Sequence, residues 1–300
     1  MTIQLFLQQL VSGLAVGCVY ALIAIGFTMV YGILRFINFA HGGIFTWGCY
    51  FGWMILGFMT AWLPLELAFL IATLGSMVLT AILGVLVEKI AYRPIRYAGF
   101  LPPFMTSLGM ALVLMYGAMV VWTPNTQTMP QLLAGRNFDL GGVIITHLQV
   151  LMLVTAVVLT LSLTLFVKKT RLGMAIRATS QDKDAASLMG INLDTVISAT
   201  FAIGSSIAAV GGMLVGTYYA SVFPTMGWMA GLKGFVAAIL GGLGSVVGSA
   251  LAGIVIGLAE NLAAGYISSG YRDAIAFIIL IIVLLVRPQG LFGFKGGKKV

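Results

Sequence analysis

Long apolar stretches alternate with short polar ones along most of this chain. Apolar runs of about 20 residues can cross a hydrocarbon layer of ~30 Å as helices, whereas membrane β-strands show ten-residue segments of alternating polarity. Because a helix satisfies its own backbone polar groups in lipid, the pattern predicts an all-α polytopic membrane protein. The predicted helices cover residues 8–33, 43–63, 65–87, 104–122, 147–167, 195–219, 228–240, 246–264 and 271–286.

The segment 34–45 decides whether the chain has eight or nine transmembrane helices, and residues 228–240 are expected to form a short crossing in either count. If residues 34–45 are re-entrant the count is eight, and if the first three runs all cross it is nine. Residues 228–240 extend only about 20 Å as a helix. Both segments lie in glycine-rich surroundings, Gly32–Gly48 and Gly231–Gly248. They therefore predict a discontinuous helix, which is tolerated where protein or a cavity shields the broken backbone.

The composition excludes an ordinary soluble protein and gives the chain an orientation. Mean hydropathy is +1.09, with 60% hydrophobic and 8% charged residues. Twelve of the sixteen Lys and Arg lie in Lys89–Arg96, Lys168–Lys183 and Arg287–Lys299. Positively charged loops remain cytoplasmic, so these segments and the C-terminus are predicted to be inside and residues 123–146 outside. The net charge of +8 therefore reports orientation and does not indicate nucleic acid binding.

The sequence contains none of the common signatures of an enzyme. "LGGLGS" lacks the lysine of a phosphate-binding loop, and no paired carboxylates, metal-ligand set or Ser-His-Asp order is present. Cys18 and Cys49 lie in apolar runs and are interpreted as small core residues. "MTIQLFLQQL" lacks the basic residues of a signal peptide, so the first run is expected to be an uncleaved membrane helix. No cofactor is expected.

The predicted cytoplasmic loop 168–193 is unusually polar, with seven of the chain's twenty-four charged residues between Lys168 and Asp184. Thr179 as N-cap, Asp182 three residues later and Gly190 as the terminator predict one short helix. Asp194 is expected to cap the next helix. The alternatives are a solvated connector and a helix that docks into another protein. Docking is favoured by the small and apolar residues Ala185, Ala186, Leu188 and Met189.

Within this helix, "DAASLMG" resembles the EAA-x3-G motif of ABC-transporter membrane subunits, with Asp184 in place of Glu and without the more distal proline. Four further segments occur in the order found in branched-chain amino acid ABC permeases of the LivH type. They are "GCVYALIAIGFTMVYGILRFINFAHGGIFTWGCY", "GRNFDLGG", "LGMAIRATSQDKDAASLMGIN" and "GFVAAILGGLGSVVGSALAG". The family commonly has a proline near Val247, which is absent here. The chain resembles this family over nearly its whole length, as one permease domain of residues 1–300.

The resemblance implies a subunit of an ATP-driven importer for leucine, isoleucine and valine in the bacterial inner membrane. Urea, short amides and other amino acids are alternative substrates. The partners implied are a related second permease subunit, two cytoplasmic ATPases that bind the ATP, and a solute-binding protein. The resemblance assigns ATPase coupling to Thr179, Asp182, Asp184, Ala185, Ala186, Leu188, Met189 and Gly190. An autonomous small-solute channel and an ion-coupled transporter are the rival classes.

Polar residues inside apolar runs are candidates for the substrate pathway, because burying them is costly. Arg35, Asn38 and His41 are spaced three apart and share a face if they are helical, and Gly42 with Gly43 permits a break. The alternative is that Arg35 reaches the headgroups while Asn38 and His41 satisfy freed backbone groups. Glu260 and Asn261, close to the predicted outer face, are expected to contact the substrate, the docking protein or a neighbouring helix. Lys233 is interpreted as an interfacial anchor.

Overall fold

The computed structural model describes residues 3–99, 101–132, 137–287 and 289–292. Within these residues the chain forms eleven α-helices and four short strands. The helices are α1 (Ile3–Leu34), α2 (Ala40–Met59), α3 (Leu65–Val87), α4 (Leu101–Trp122), α5 (His147–Lys169), α6 (Arg171–Gln181), α7 (Lys183–Leu188), α8 (Leu193–Tyr218), α9 (Met226–Gly241), α10 (Val246–Tyr266) and α11 (Arg272–Val286). The antiparallel pairs are β1 (Gln127–Thr128) with β4 (Ser221–Val222), and β2 (Asn137–Asp139) with β3 (Ile144–Thr146).

Eight of the helices in the described ranges are long and apolar enough to cross a membrane. They are α1, α2, α3, α4, α5, α8, α10 and α11, where a π-helical and a 3-10 turn extend α3 and another 3-10 turn precedes α11. α9 is also apolar but has only 16 residues, which corresponds to about 24 Å. The predicted all-α polytopic architecture is confirmed, with eight long helices and one short one.

α1 is the centre of the bundle. It is buried almost continuously from Gly13 to Leu34 and packs mainly on α10, α8, α9 and α5. In contrast, less than a third of the 18-residue apolar stretch of each of the helices α3, α4, α5 and α11 is buried. These helices expose side chains such as Leu74, Val120 and Leu285. These apolar outer faces are suited to lipid or to another membrane subunit.

Glycines let α1 and α10 pack at close distance. A methyl group added at Gly17 would lie 2.7 Å from Cα of Ile254, and one at Gly13 would lie 3.0 Å from Cα of Leu258. Early positions of α1 thus meet late positions of α10, so the two helices are antiparallel. Membrane helices associate through such backbone proximity, because apolar side chains gain little by leaving lipid.

The bundle has two distinct ends. At the loop end, which holds residues 123–132 and 137–146, the side chain of Gln4 donates to the carbonyl of Gly141, and that of Gln8 donates to the carbonyl of Ile144 in β3. At the basic end, Arg35 donates to the carbonyl of Ser180 at 2.7 Å. The segments Lys89–Arg96 and Lys168–Lys183 both lie there, as predicted from their charge. Lys295, Lys298 and Lys299 are outside the described residues.

The break between α1 and α2 falls between the predicted runs 8–33 and 43–63, but before Gly42 and Gly43. Residues 35–39 are not helical, and Arg35 has a left-handed backbone (φ 62°). The backbone N–H of Arg35 donates to the carbonyl of Tyr31 at 2.9 Å. Arg35 therefore ends α1 as a left-handed C-cap. The predicted break at Gly42 and Gly43 is wrong, since both glycines lie within α2.

The polar loop 168–193 contains two short helices, α6 and α7, where one was predicted. α6 begins after Thr170, whose hydroxyl accepts from the N–H of Gly173 at 2.9 Å. Asp182 is extended (φ −149°, ψ 117°) and separates α6 from α7. Thr179, the predicted N-cap, lies inside α6 and is buried. That prediction is wrong because the carboxylate of Asp182 itself supplies the cap.

Candidate functional site

The polar segment from Asp182 to Gly190, which we call the docking segment, is formed by strong local signals. The carboxylate of Asp182 accepts hydrogen bonds from the N–H groups of Asp184 at 2.9 Å and Ala185 at 3.0 Å. These bonds satisfy donors that the first turn of a helix leaves free, and the negative charge suits the helix dipole. A helix as short as α7 depends on such a cap, because its own turns are marginally stable.

The other end of the docking segment is a Schellman motif. Gly190 has φ +81°, which a residue without Cβ adopts at no steric cost. Its N–H donates to the carbonyl of Ser187 at 3.0 Å, and the N–H of Ile191 donates to the carbonyl of Ala186 at 3.1 Å. This pair of bonds stops the helix and turns the chain towards α8. The prediction that Gly190 ends the helix with a left-handed backbone is confirmed.

Two large apolar side chains project from the docking segment. Leu188 is 88% exposed and Met189 is 83% exposed, whereas Ala186 is 4% exposed and faces the protein. Asp184 and Ala185 are also on the exposed side. An apolar pair on a polar loop at the basic end is an arrangement suited to a groove in another protein. Of the residues predicted to dock, Thr179 and Ala186 are buried within this chain.

The docking segment lies in a positively charged environment. Burial lowers the pKa of Lys183, the first residue of α7. Neighbouring Arg96 and Arg35 lower this pKa further, while Asp184 raises it. Positive potential here favours a partner surface that carries acidic groups.

An ion-pair network fixes the chain directly after the docking segment. Arg96 contacts Glu88 at 2.6 Å and Asp194 at 2.8 Å, and Arg93 also pairs with Asp194. Asp194 was predicted to cap α8, but the side chain of Asn192 does so. Glu88, at the end of α3, is fully buried. The start of α8 is therefore tied to the end of α3 by ion pairs.

The three polar residues predicted to share a helix face do not share one, because α1 ends at Leu34. Arg35 bonds to α6, and Oδ1 of Asn38 accepts from the hydroxyl of Tyr92 at 2.6 Å. His41 is 1% exposed, and its ring packs edge-on against Phe27 with centroids 4.8 Å apart. Each of the three therefore contacts a different element, and the arrangement favours the structural interpretation of these residues.

Gly42 lies at a closed constriction opposite Gly227, the second residue of α9. The hydroxyl of Thr46 links the two backbones: it donates to the carbonyl of Gly42 at 3.2 Å and accepts from the N–H of Gly227 at 3.0 Å. The space beside it, also bordered by Phe27 and Phe39, has a volume of about 10 Å³. That is about the least volume a water molecule needs.

An apolar groove between α4 and the start of α9 leads to this constriction. Its volume is about 430 Å³, and Met115 and Trp228 line both the groove and the constriction. The described residues that line the groove are uncharged. They are Leu112, Met115, Phe223, Thr225, Met226, Trp228 and Met229. No sequence pattern predicts this groove, because its residues come from two distant segments.

Glu260 and Asn261 lie in a buried polar cluster. Both carboxylate oxygens of Glu260 are within 3.1 Å of Nζ of Lys233, and Oε2 accepts from the hydroxyl of Tyr20 at 2.9 Å. Lys233 also pairs with Asp273 at 2.7 Å. Asn261 donates to a backbone carbonyl one turn earlier in α10, that of Gly257, at 2.9 Å. Oδ1 of Asn261 also accepts from the guanidinium of Arg272, the first residue of α11, at 3.5 Å. Both residues therefore agree with the structural alternative, pairing to neighbouring helices.

Two buried charges were misjudged or missed in the sequence. Lys233 was interpreted as an interfacial anchor, yet it is 5% exposed and paired inside the bundle. Glu88 was not singled out. For Lys233 the available signal was an ionisable residue inside an apolar run, and for Glu88 one at the end of such a run; burying either is costly unless it is paired. No group of three or more His, Cys, Asp or Glu suitable for a metal occurs among the described residues.

A bundle of apolar spanning helices, with a closed apolar constriction and a docking segment at one end, defines a polytopic membrane transport protein of the permease class. Residues 9–284 match the family described as the permease component of the branched-chain amino acid transport system, and the chain belongs to this family. The resemblance identified from the sequence is thereby confirmed.

Similarity to individual relatives extends over the full length of the chain. It is 41% identical to the high-affinity branched-chain amino acid transport system permease protein BraD of Pseudomonas aeruginosa, covering 98% of each chain. It is 39% identical to the corresponding LivH of Escherichia coli, again over 98% of each. A probable LivH of Methanocaldococcus jannaschii is 26% identical over 91% of this chain and 88% of its own.

Proposed function

We propose that this chain is the membrane-spanning permease subunit of an ATP-driven importer for leucine, isoleucine and valine in a bacterial inner membrane. The observation that carries the proposal is full-length similarity, at 39–41% identity, to two permeases named for branched-chain amino acid transport. The chain itself does not hydrolyse ATP. Two separate ATPase subunits bind and hydrolyse it.

The docking segment is the contact with one of these ATPases. Exposed Leu188 and Met189 enter a groove of the ATPase, and Asp182 and Gly190 hold α7 in shape for that contact. The basic end then faces the cytoplasm, as does the C-terminus, because positively charged loops are retained there. The loop end faces outwards and receives substrate from a solute-binding protein. ATP-driven movement of the docking segment acts on α3 and α8 through Arg96 and Asp194.

The groove between α4 and α9 is the outer part of the substrate route. It is open on the surface of this chain, so a second, related permease subunit is needed to close it. Its apolar lining favours an aliphatic side chain over urea, short amides or polar amino acids. An autonomous channel leaves the docking segment without a role. An ion-coupled transporter needs a free buried carboxylate, but Glu88 and Glu260 are both paired with cations.

The decisive experiment is uptake of radiolabelled leucine into proteoliposomes that contain the chain with its partner permease, ATPases and binding protein. The native chain is compared with Leu188→Glu, and the control is Tyr97→Glu, which changes a residue that is 78% exposed at the same end. We expect ATP-dependent uptake that Leu188→Glu abolishes by releasing the ATPases, with Tyr97→Glu unaffected. Leucine flux without ATP would support a channel. ATP-dependent uptake of urea or amides without leucine would refute the substrate assignment alone.

A further inference from the structure

A large cavity at the basic end is not explained by the proposed route. It lies between the end of α1, the corner from α5 to α6, and the turn from α9 to α10, and has a volume of about 870 Å³. Arg35, Lys168 and Arg177 line it. Among the described residues that line it, none is acidic. Three cations around one cavity, with no acidic side chain among its described lining residues, favour an anion as ligand.

The backbone adds to this positive field. The first turn of α10, with Val246 and Val247, forms part of the cavity wall. A helix N-terminus carries partial positive charge and free N–H donors, which favour phosphate and carboxylate groups. α10 has 21 residues, so its terminus has the full effect of a long helix. The helix end and the three cations are independent features that favour the same sign of ligand.

The arginine side chains are held in place but keep most of their donors. One N–H group of Arg35 donates to the carbonyl of Ser180 at 2.7 Å, and one of Arg177 donates to that of Val167 at 2.7 Å. A guanidinium has five N–H donors in a planar fork that matches phosphate oxygens. The left-handed backbone of Arg35 (φ 62°) is an uncommon conformation for this residue type. Such a conformation persists only where the surrounding structure holds it in place.

We propose that this cavity binds the phosphate group of an anionic phospholipid. Basic pockets between spanning helices at a membrane surface bind lipid headgroups, and the ends of α1 and α5 place this one where the apolar helices stop. α6 supplies Arg177 and continues through Asp182 into the docking segment. A bound phosphate therefore connects α1, α5 and α10 to the segment that leads to α7. Free inorganic phosphate has the same chemistry and is the alternative source of the ligand.

The test uses the purified full-length chain in nanodiscs of phosphatidylcholine with or without phosphatidylglycerol, and native mass spectrometry of the lipid it retains. We expect phosphatidylglycerol to be retained preferentially. Lys168→Gln should reduce this preference roughly fivefold, and Arg35→Gln with Arg177→Gln roughly 25-fold, because the effects of the two cations multiply. Lys89→Gln removes an exposed cation of the same end that does not line the cavity, and should change nothing.

Inorganic phosphate added to both kinds of nanodisc separates the two sources of phosphate: retained phosphatidylglycerol is measured where that lipid is present, and thermal unfolding is measured in phosphatidylcholine alone. If inorganic phosphate displaces phosphatidylglycerol and stabilises the native chain but not Lys168→Gln, the site is confirmed with free phosphate as its ligand. Equal retention of both lipids, without any effect of inorganic phosphate, overturns the proposal. Displacement of phosphatidylglycerol by leucine also overturns it, because the cavity then belongs to the transport route.

Discussion

Nζ of Lys233 and Oε1 of Glu260 lie 2.9 Å apart between α9 and α10, with side chains 6% and 0% exposed. Desolvating two charges costs about as much as their attraction returns, so such a pair adds little net stability. Its effect is on position: an apolar helix as short as α9 could slide along its neighbours, and the pair fixes its register against α10. Asp273, also bonded to Lys233, extends this constraint to α11.

The first prediction concerns the loss of one partner from this pair. Lys233→Met leaves Glu260 buried without a cation and should lower the free energy of unfolding by about 3–5 kcal/mol. Glu260→Gln should cost less, because Asp273 still pairs with Lys233. The double variant should recover most of the loss. Unfolding of the purified chain in detergent measures all three. A loss below about 1 kcal/mol for Lys233→Met, typical of exposed pairs, would contradict the assignment.

The second prediction concerns the contact between α1 and α10. Gly17→Ala places a methyl group 2.7 Å from Cα of Ile254, and a backbone cannot yield as a flexible side chain does. The two helices should separate at a cost of about 1–3 kcal/mol. Gly109→Ala is the matched control in α4, because no atom lies within 4 Å of the added methyl group. It should be neutral or stabilise by up to about 1 kcal/mol. Equal melting temperatures for the two variants would show that the packing is looser than described.

Helix positions were predictable from the sequence because lipid imposes them locally. The run 65–87 was predicted as a helix and forms α3 (Leu65–Val87), and 246–264 forms most of α10. Length and apolarity decide such elements without reference to the rest of the chain. The same holds for Gly190, whose terminating role depends only on the preceding turn.

The candidate site was less predictable because its geometry depends on distant partners. Arg35 ends α1 in a left-handed conformation and bonds to Ser180, which is 145 residues away. The spacing of polar residues along the chain does not predict this contact. The partners of Lys233 and Glu88 are likewise set by tertiary packing. Sequence reasoning can state that a buried charge needs a partner, but not which helix provides it.

The third prediction separates the observed cap of α7 from the predicted one. Asp182→Ala removes the acceptor for two N–H groups and should destabilise α7 by about 0.5–2 kcal/mol. Asp182→Asn, which keeps an acceptor oxygen, should retain most of the stability. Amide hydrogen exchange of residues 183–188 measures the difference.

Thr179→Val is the control for this series. The hydroxyl of Thr179 is buried, and no hydrogen-bond partner is found for it among the described residues. Replacing it with a methyl group should therefore cost nothing or stabilise slightly. Faster exchange in α7 for Thr179→Val than for Asp182→Ala would favour Thr179 as the functional cap.

The fourth prediction concerns the groove between α4 and α9. Met115 lines both the groove and the constriction at Gly42, so Met115→Trp should obstruct the route where it narrows. Leucine uptake by the assembled importer should fall roughly 10-fold or more, as expected when a pocket loses room for part of its ligand. Valine uptake should fall less, because its side chain is shorter by one methylene group. Association with the ATPases should remain normal, since the docking segment is at the other end.

The matched control for this substitution is Val120→Trp. Val120 lies on the same helix and is 87% exposed, but it does not line the groove. If both variants reduce uptake equally, the groove is not on the route and the loss reflects general disturbance of α4. If only Met115→Trp does so, and valine is affected less than leucine, the substrate passes Met115 with its side chain in contact with the groove. The constriction at Gly42 is then the point that must open.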